Sequence, residues 1–252
     1  MGKKYRMLEE ESIVIDGHKL YRIESLRNFD DVKIGDKGGF IESEMNLSHS
    51  GFCWIYDETV AFERARVRGG AKLRRTAFVR GFAEISQKAV LTDSAVAFGH
   101  AKISGCAKLS ENAYAGQSAV IYGQAAISGA AIISEAALVC GDAEVRDATV
   151  RGFSRIYGSA KVRNARILGA AEICGNAVIN SDADYIVFKN WWSSGRYFTW
   201  TRSNNAWKVG CFYGDGARLV AAAYENSVIC GREYARIVNY VNSIIEQEKV
   251  QK

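Results

Sequence analysis

Alanine recurs at every sixth position from Ala65 to Ala143, fourteen times without a miss, and Val, Leu or Ile follows two positions later in twelve of these repeats. This period fits neither the roughly 3.6-residue period of an amphipathic helix nor the alternation of an ordinary hairpin strand. It is typical of a β-helix. Within a short strand the two positions point to the same side, so the repeat predicts a narrow interior filled by small and then large side chains.

The residues after each aliphatic position are predicted to turn the chain at a corner. Glycine occupies one shared corner position in many repeats, for example at Gly81 and Gly99, where it tolerates a positive φ. Beyond Ala143 the step between alanines twice shortens to five residues, at Ala148 and at Ala165. Two corners are therefore predicted to have lost one residue each.

The segments on either side of the repeats have different patterns. Residues 1–39 predict an N-terminal β cap, because Asp16-Gly17 between two alternating apolar runs indicates a hairpin. Residues 185–252 predict an aromatic-rich β/α domain, with three short antiparallel strands and then helix over 216–248, broken near Gly231. Both segments are expected to cover the ends of the repeat region, residues 40–184.

The lead-in to the repeats carries a specific motif. It reads Gly-Asp-Lys-Gly-Gly-Phe-Ile-Glu-Ser-Glu over residues 35–44, followed by Asn-Leu-Ser at 46–48 and Cys-Trp-Ile-Tyr-Asp at 53–57. This resembles the opening of a hexapeptide-repeat family of enterobacteria and their phages, whose members are often labelled acyltransferases. The resemblance implies three hexads per triangular coil, a left-handed turn and trimeric assembly.

Together these observations predict a fold dominated by β-structure. It is a single-stranded, left-handed parallel β-helix of roughly eight coils, each rising ~4.8 Å. An N-terminal β-hairpin cap precedes it, and a small β-sheet with helices follows.

Composition adds only general constraints. The chain has 252 residues, 48% of them apolar, 24% charged, with a net charge of +5. These values are ordinary for a soluble protein and require neither nucleic acid nor a membrane as partner. The start lacks a signal peptide's apolar core, so a cytoplasmic location is expected. The six cysteines show no zinc-like spacing, which predicts no metal site.

An acyltransferase of the resembled kind needs a general base, usually histidine, that activates the acceptor for attack on acetyl-coenzyme A. His100 is the candidate, because it follows Gly99 on a corner and should be exposed. No long loop interrupts the hexads, however, whereas such enzymes commonly extrude one to form the acceptor pocket. We therefore expect His100 to be a surface residue, and assign no cofactor.

A run of basic residues is the candidate ligand site, comprising Arg66, Arg68, Lys72, Arg74 and Arg80. At 18 residues per coil these residues fall on three different faces, which favours a solvated basic collar over a binding groove. Coenzyme A phosphates or a nucleotide are the alternative ligands.

One outer face carries an apolar column, predicted to be an oligomer interface and formed by Val60, Phe62, Phe78, Val96, Phe98, Tyr114 and Ile132. Such a stripe should be covered. A trimer would cover it, and so would the C-terminal helix folded back; we favour the oligomer.

The sequence thus favours a non-catalytic, trimeric binding scaffold of bacterial or phage origin. Its partner would be a host protein or a small nucleotide-like ligand, for example in counter-defence. The alternatives are an acyl-coenzyme A-dependent O/N-acyltransferase with His100 as base, and a structural assembly protein.

Overall fold

Each hexad forms a short strand and a corner in the computed structural model, which describes residues 2–250. The chain begins with β1 (Tyr5–Ile15), β2 (His18–Ser25) and β3 (Lys37–Ile41). The strands of the repeat region follow in order: β4 (Trp54–Ile55), β5 (Val60–Ala61), β6 (Arg66–Val67), β7 (Lys72–Leu73), β8 (Phe78–Val79), β9 (Glu84–Ile85), β10 (Val90–Leu91), β11 (Val96–Ala97), β12 (Lys102–Ile103), β13 (Lys108–Leu109), β14 (Tyr114–Ala115), β15 (Val120–Ile121), β16 (Ala126–Ser128), β17 (Ile132–Ile133), β18 (Leu138–Val139), β19 (Glu144–Arg146), β20 (Thr149–Val150), β21 (Arg155–Ile156), β22 (Lys161–Arg163), β23 (Arg166–Ile167), β24 (Glu172–Ile173) and β25 (Val178–Ile179).

Every third strand pairs in parallel, which produces three faces. Face 1 is a ten-stranded sheet in the order β1-β2-β3-β5-β8-β11-β14-β17-β20-β23, face 2 runs from β6 to β24, and face 3 is the eight-stranded sheet from β4 to β25. The molecule is therefore a parallel β-solenoid of about eight coils, which confirms the predicted architecture. Both shortened corners, at Asp147 and Asn164, connect face 3 to face 1.

The interior of the solenoid is made of the predicted residue pairs. The fourteen alanines of the six-residue repeat from Ala65 to Ala143, and the residues two positions after each, are fully or almost fully buried. Burying one Val, Leu or Ile side chain contributes roughly 1.5–3 kcal/mol, so the stacked interior is the main source of stability.

Several corners place a residue other than glycine at positive φ, and their side chains compensate for that strain. The Asp93 carboxylate accepts the amide N–H of Glu111 at 3.0 Å, one coil further along, and Glu135 accepts that of Gly152 at 2.8 Å. These bonds satisfy backbone donors that would otherwise depend on water. They explain why Asp, Glu and Gln can replace glycine there.

Most hydrogen bonds between coils run in one direction along the solenoid. The outward strand residues donate their amide N–H to a carbonyl of the following coil, as Val96 N does to Ala113 O at 2.9 Å and Lys102 N to Ala119 O at 2.9 Å, whereas a few amides, such as Val67 N to Asn46 O at 2.8 Å, donate to the preceding coil. The first coil therefore has carbonyls without a preceding donor, and the last coil has amides without a following acceptor. Each end needs a cap of opposite chemistry.

The N-terminal segment supplies donors to the first coil. The Lys4 ammonium donates to the Cys53 carbonyl at 2.7 Å, and the Tyr5 hydroxyl donates to the Leu47 carbonyl at 2.7 Å. Lys4 is completely buried, and its ammonium also lies 5.2 Å from the centre of the Phe29 ring. Desolvation lowers the pKa of Lys4. A buried ammonium is tolerated here because it faces carbonyl oxygens.

The C-terminal segment supplies acceptors to the last coil. Thr199 Oγ1 accepts from Glu172 N at 3.0 Å, and Ser203 Oγ accepts from Val178 N at 2.7 Å. A short 3₁₀ helix (Asp182–Asp184) adds a carboxylate oxygen that accepts from Arg166 N at 2.6 Å.

The C-terminal sheet has four antiparallel strands, so the prediction of three was wrong. They are β26 (Tyr185–Lys189), β27 (Tyr197–Thr201), β28 (Ala206–Val209) and β29 (Phe212–Gly214). The fourth strand exists because the turn after β28 returns Phe212 to pair with Val209.

Helices α1 (Gly216–Asn226) and α2 (Val228–Val250) follow, and the break lies at Ser227, not near Gly231 as predicted. The Ser227 hydroxyl accepts the amides of Ile229 and Cys230 and so caps α2. Gly231 lies within α2, and the Tyr224 ring packs against it. The position requires glycine, because a Cβ there would come within 2.3 Å of that ring.

We predict that Lys4→Met lowers the free energy of unfolding by about 1–3 kcal/mol, because it leaves the Cys53 carbonyl buried without a donor. The midpoint of urea denaturation measures this. Lys3→Met is the matched control, since Lys3 is exposed and pairs only with Glu44 at the surface. Equal stability of the two variants would show that the ammonium is not needed as a cap.

Candidate functional site

The predicted interface column lies on face 1, but its first two residues are covered by the chain itself. Val60 and Phe62 are only 4% and 0% exposed, and they cluster with Leu20 of β2 and Phe40 of β3. Their assignment to an oligomer interface was wrong, because the hairpin of β1 and β2 extends face 1 and folds over them. The C-terminal helices pack on the C-terminal sheet instead.

The other members of the column lie side by side on consecutive coils of face 1. Phe78 pairs with Val96, Val96 with Tyr114, and Tyr114 with Ile132 across the parallel strands. All are half-buried.

The Phe98 ring adjoins Tyr114, with ring centroids 5.4 Å apart, and lies directly over Gly116. A Cβ on Gly116 would come within 2.4 Å of the Phe98 ring, so only glycine leaves room for it.

Sequence reasoning missed three exposed apolar residues beside this column. Phe82, Phe153 and Leu168 are 49%, 74% and 45% exposed. Phe82 and Phe153 follow the corner glycines Gly81 and Gly152, a position at which the hexad pattern predicts solvent contact. Apolar residues at corner positions were the available signal. We call the column from Phe78 to Ile132, together with these three residues, the apolar ridge.

A groove of about 490 Å³ crosses the apolar ridge at its centre, lined by Asn112, Tyr114, Gln117, Ala130, Ile132, Ser134, Glu135 and Arg151. Tyr114 and Ile132 form its apolar part. The Arg151 guanidinium has no ion-pair partner among residues 2–248, whereas the Glu135 carboxylate accepts a hydrogen bond from the Gly152 amide. The groove can therefore accept an aromatic group and an anion together.

His100 is exposed on its corner, as expected, and its ring stacks on Phe82. The ring centroids are 4.6 Å apart with an interplanar angle of 9°, and the Arg64 guanidinium lies 5.4 Å from the same Phe82 ring. No carboxylate or carbonyl binds the His100 imidazole within the described part of the chain. An orienting partner, which a general base normally has, is therefore missing here.

The structure instead joins His18 to a carboxylate, a contact that the sequence did not reveal. His18 Nδ1 lies 2.8 Å from Glu42 Oε1, and Glu63 N donates to the other Glu42 oxygen at 2.7 Å. The hydrogen bond to Glu42 raises the pKa of His18, aided by the charges of Glu63 and Asp16. The hairpin turn before His18 and the strand before Glu42 were the only sequence signals.

The pKa of Glu42 shifts in the opposite direction to that of His18. Partial desolvation raises its pKa, but the bonds from His18 and from the Glu63 amide outweigh this effect and lower the pKa overall. His49, the third histidine, stacks on Tyr5 at 4.3 Å and belongs to the N-terminal cap.

The basic collar is distributed over three faces, and most of its charge is neutralised within the chain. Lys72 pairs with Asp30 at 2.8 Å and Asp31 at 2.9 Å. The other ion pairs are Arg74 with Asp31 at 2.9 Å, Arg80 with Asp16 at 2.8 Å, and Arg68 with Glu84.

Of the five predicted ligand-binding cations, only Arg66 has no carboxylate partner among the residues whose side chains are described. The run thus does not form a cluster of free cations. Asp31 of the lead-in pairs with two of these cations, Lys72 and Arg74.

The described residues contain neither a metal-binding cluster nor a membrane-spanning helix. Histidine, cysteine and acidic side chains nowhere form a group of three suited to a metal ion. No described helix is long and apolar enough to span a membrane.

Comparison with known proteins gives one partial similarity. No model of a known protein family matches the chain. Over 105 residues it is 32% identical to a protein of Escherichia coli (strain K12) named "Uncharacterized acetyltransferase YdcK". The match covers 38% of this chain and 32% of that protein, so it spans about a third of the relative's length. The repeat, the solenoid and this similarity fit a hexapeptide-repeat family.

We predict that the contact between His18 and Glu42 stabilises the fold most between about pH 4.5 and 6.5, the ordinary pKa values of the two groups. The folded-state pKa of His18 is raised, so its contribution is lost as pH rises through that value. The pKa of Glu42 is lowered, so its contribution is lost as pH falls through it.

Melting temperatures between pH 4 and pH 9 test this prediction. The difference between wild type and His18→Gln should be largest between about pH 4.5 and 6.5 and should shrink as the pH rises above or falls below that window. His100→Gln is the control, because His100 binds no carboxylate. A difference for His18→Gln that does not vary with pH would refute the coupling.

Proposed function

We propose that this protein is a non-catalytic, trimeric binding scaffold that holds a small nucleotide-like ligand at the apolar ridge of face 1. The observation that carries the proposal is the groove at Tyr114, Ile132 and Arg151, on face 1, where the outward strand residues are apolar on four consecutive coils from Phe78 to Ile132.

The groove offers the three contacts that a nucleotide needs. The Tyr114 ring provides a surface on which a base can stack. The unpaired Arg151 guanidinium can bind a phosphate through two parallel N–H donors. The side-chain amides of Asn112 and Gln117 can donate to and accept from the edge of a base.

The regularity of the coil supports binding over catalysis. From β4 to β25 every connection is a short corner, and no inserted loop encloses a reaction site. A water-excluding pocket and an oriented base are what acyl transfer requires. His100 has neither, since it lies exposed and flat on Phe82.

The apolar ridge also supports self-association. Face 3 carries charged residues on its surface, several of them in ion pairs, as Lys161 is with Glu144 at 2.9 Å, and such a face does not favour an apolar contact. The apolar ridge has no equivalent charges from Phe78 to Ile132 except Arg80. A cyclic trimer would bring the ridge of each copy against a different surface of the next copy, so that the groove would lie at the boundary between the two copies and its ligand would contact both.

An enterobacterial or phage origin is part of this proposal, and the Escherichia coli relative supports the enterobacterial side. Capture of a host protein in counter-defence would then use the same apolar ridge.

The second candidate is an acetyl-coenzyme A-dependent acetyltransferase, which the name of the Escherichia coli relative favours. Coenzyme A contains an adenine nucleotide, so the same groove could bind it. His100 would be the base.

We predict that Tyr114→Lys combined with Ile132→Lys converts the assembly to monomers, because two charges would be buried in each interface. Light scattering measures the mass. The control combines Val90→Lys with Ala126→Lys, which places two charges on face 3, one on each side of the coil that carries Lys108. A trimer that persists in the face 1 variant contradicts the proposed interface.

A second prediction distinguishes the two candidate functions. For the scaffold, adenosine diphosphate raises the melting temperature of wild type but not of Arg151→Gln, because ligand binding stabilises the native state. Acetyl-coenzyme A with a panel of amine and hydroxyl acceptors should release no free thiol. Thiol release that is abolished in His100→Ala would establish the acetyltransferase instead.

A further inference from the structure

The C-terminal sheet and helices enclose a second cavity, of about 320 Å³, that has no part in the proposed function. It lies among the turn at residues 193–196, strands β28 and β29, and both helices. The solenoid contributes no residue to its wall.

About half of the cavity wall is apolar. Val209, Phe212, Leu219 and Ala223 line it and belong to the hydrophobic core between sheet and helices. Binding becomes more favourable in proportion to the apolar surface that a ligand buries against these side chains.

Tyr234 brings a hydroxyl to this wall. Tyr234 is 5% exposed, and its ring packs edge-on against Phe198 at 4.6 Å. The hydroxyl makes no hydrogen bond to any described residue, and it is not one of the side-chain atoms that the fold seals from solvent without a partner. It is therefore accessible from the cavity and can donate a hydrogen bond to a ligand.

A free cation lies at the same cavity. Arg196 belongs to the wall, and its guanidinium has no carboxylate partner within the described part of the chain. The local turn holds the Arg196 backbone in place, because Arg196 N donates to Ser194 Oγ at 3.3 Å and Arg196 O accepts from Asn190 N at 2.9 Å.

We propose that this cavity binds a small carboxylate attached to an apolar chain. The carboxylate pairs with the Arg196 guanidinium and accepts a hydrogen bond from the Tyr234 hydroxyl, and the chain lies against Leu219 and Phe212. The volume of about 320 Å³ holds about ten non-hydrogen atoms at roughly 30 Å³ each. That is the size of octanoate, or of an apolar residue at the C-terminus of a peptide.

The test uses Cys230, a free thiol in the cavity wall, as the reporter. The full chain is alkylated with iodoacetamide in increasing octanoate, and modification of each cysteine is followed by peptide mass spectrometry. Octanoate should slow alkylation of Cys230 in a saturable manner and leave the exposed Cys106 and Cys211 unchanged. Octanol should give at least tenfold weaker protection, because it lacks the carboxylate.

Variants then assign the contacts. Arg196→Gln and Tyr234→Phe should each weaken protection by about tenfold, whereas Arg218→Gln, an exposed arginine of α1 outside the cavity, should not. Melting temperatures verify that each variant is folded.

A peptide ending in Leu-COO⁻ and its C-terminal amide form a parallel arm. If octanoate protects Cys230 and the acid peptide does not, the ligand is a small carboxylic acid. If the acid peptide protects Cys230 and octanoate does not, the ligand is the C-terminus of a polypeptide. Equal protection by octanol, loss of selectivity among the cysteines, or wild-type behaviour of Arg196→Gln would overturn the proposal.

Discussion

The direction of the inter-coil hydrogen bonds is the constraint on which the remaining structure depends. Most of the amides that bond between coils donate toward the following coil, so one end of the solenoid presents mainly carbonyls and the other mainly amides. The N-terminal segment supplies donors to these carbonyls, the buried ammonium of Lys4 and the hydroxyl of Tyr5. The C-terminal segment supplies acceptors to these amides, the hydroxyl oxygens of Thr199 and Ser203. The two caps are not interchangeable.

An uninterrupted ladder also decides where chemistry can occur. No backbone leaves the coil to form a pocket, so binding groups must be outward side chains or must belong to the caps. The outward side chains of face 1 form a shallow groove with one unpaired cation, Arg151. The C-terminal segment forms a cavity between its sheet and its helices. The solenoid thus serves as a rigid support.

The candidate sites were predictable only in part, for reasons that particular residues illustrate. The period placed Phe98 and Tyr114 on one face, because strand position follows directly from residue number. It could not show that β2 folds over Phe62, since contacts between distant segments leave no periodic signal. For the same reason the pairing of Lys72 with Asp31 and of His18 with Glu42 was not foreseen.

The sequence by itself determined the solenoid, the content of its interior, the two shortened corners and the division of the basic run among three faces. These follow from a local repeat, in which each hexad meets the same environment as the hexads above and below it. Only the tertiary structure decided which surfaces remain free, because coverage by the hairpin, neutralisation by Asp31 and the cavity around Tyr234 arise from contacts between segments that do not repeat.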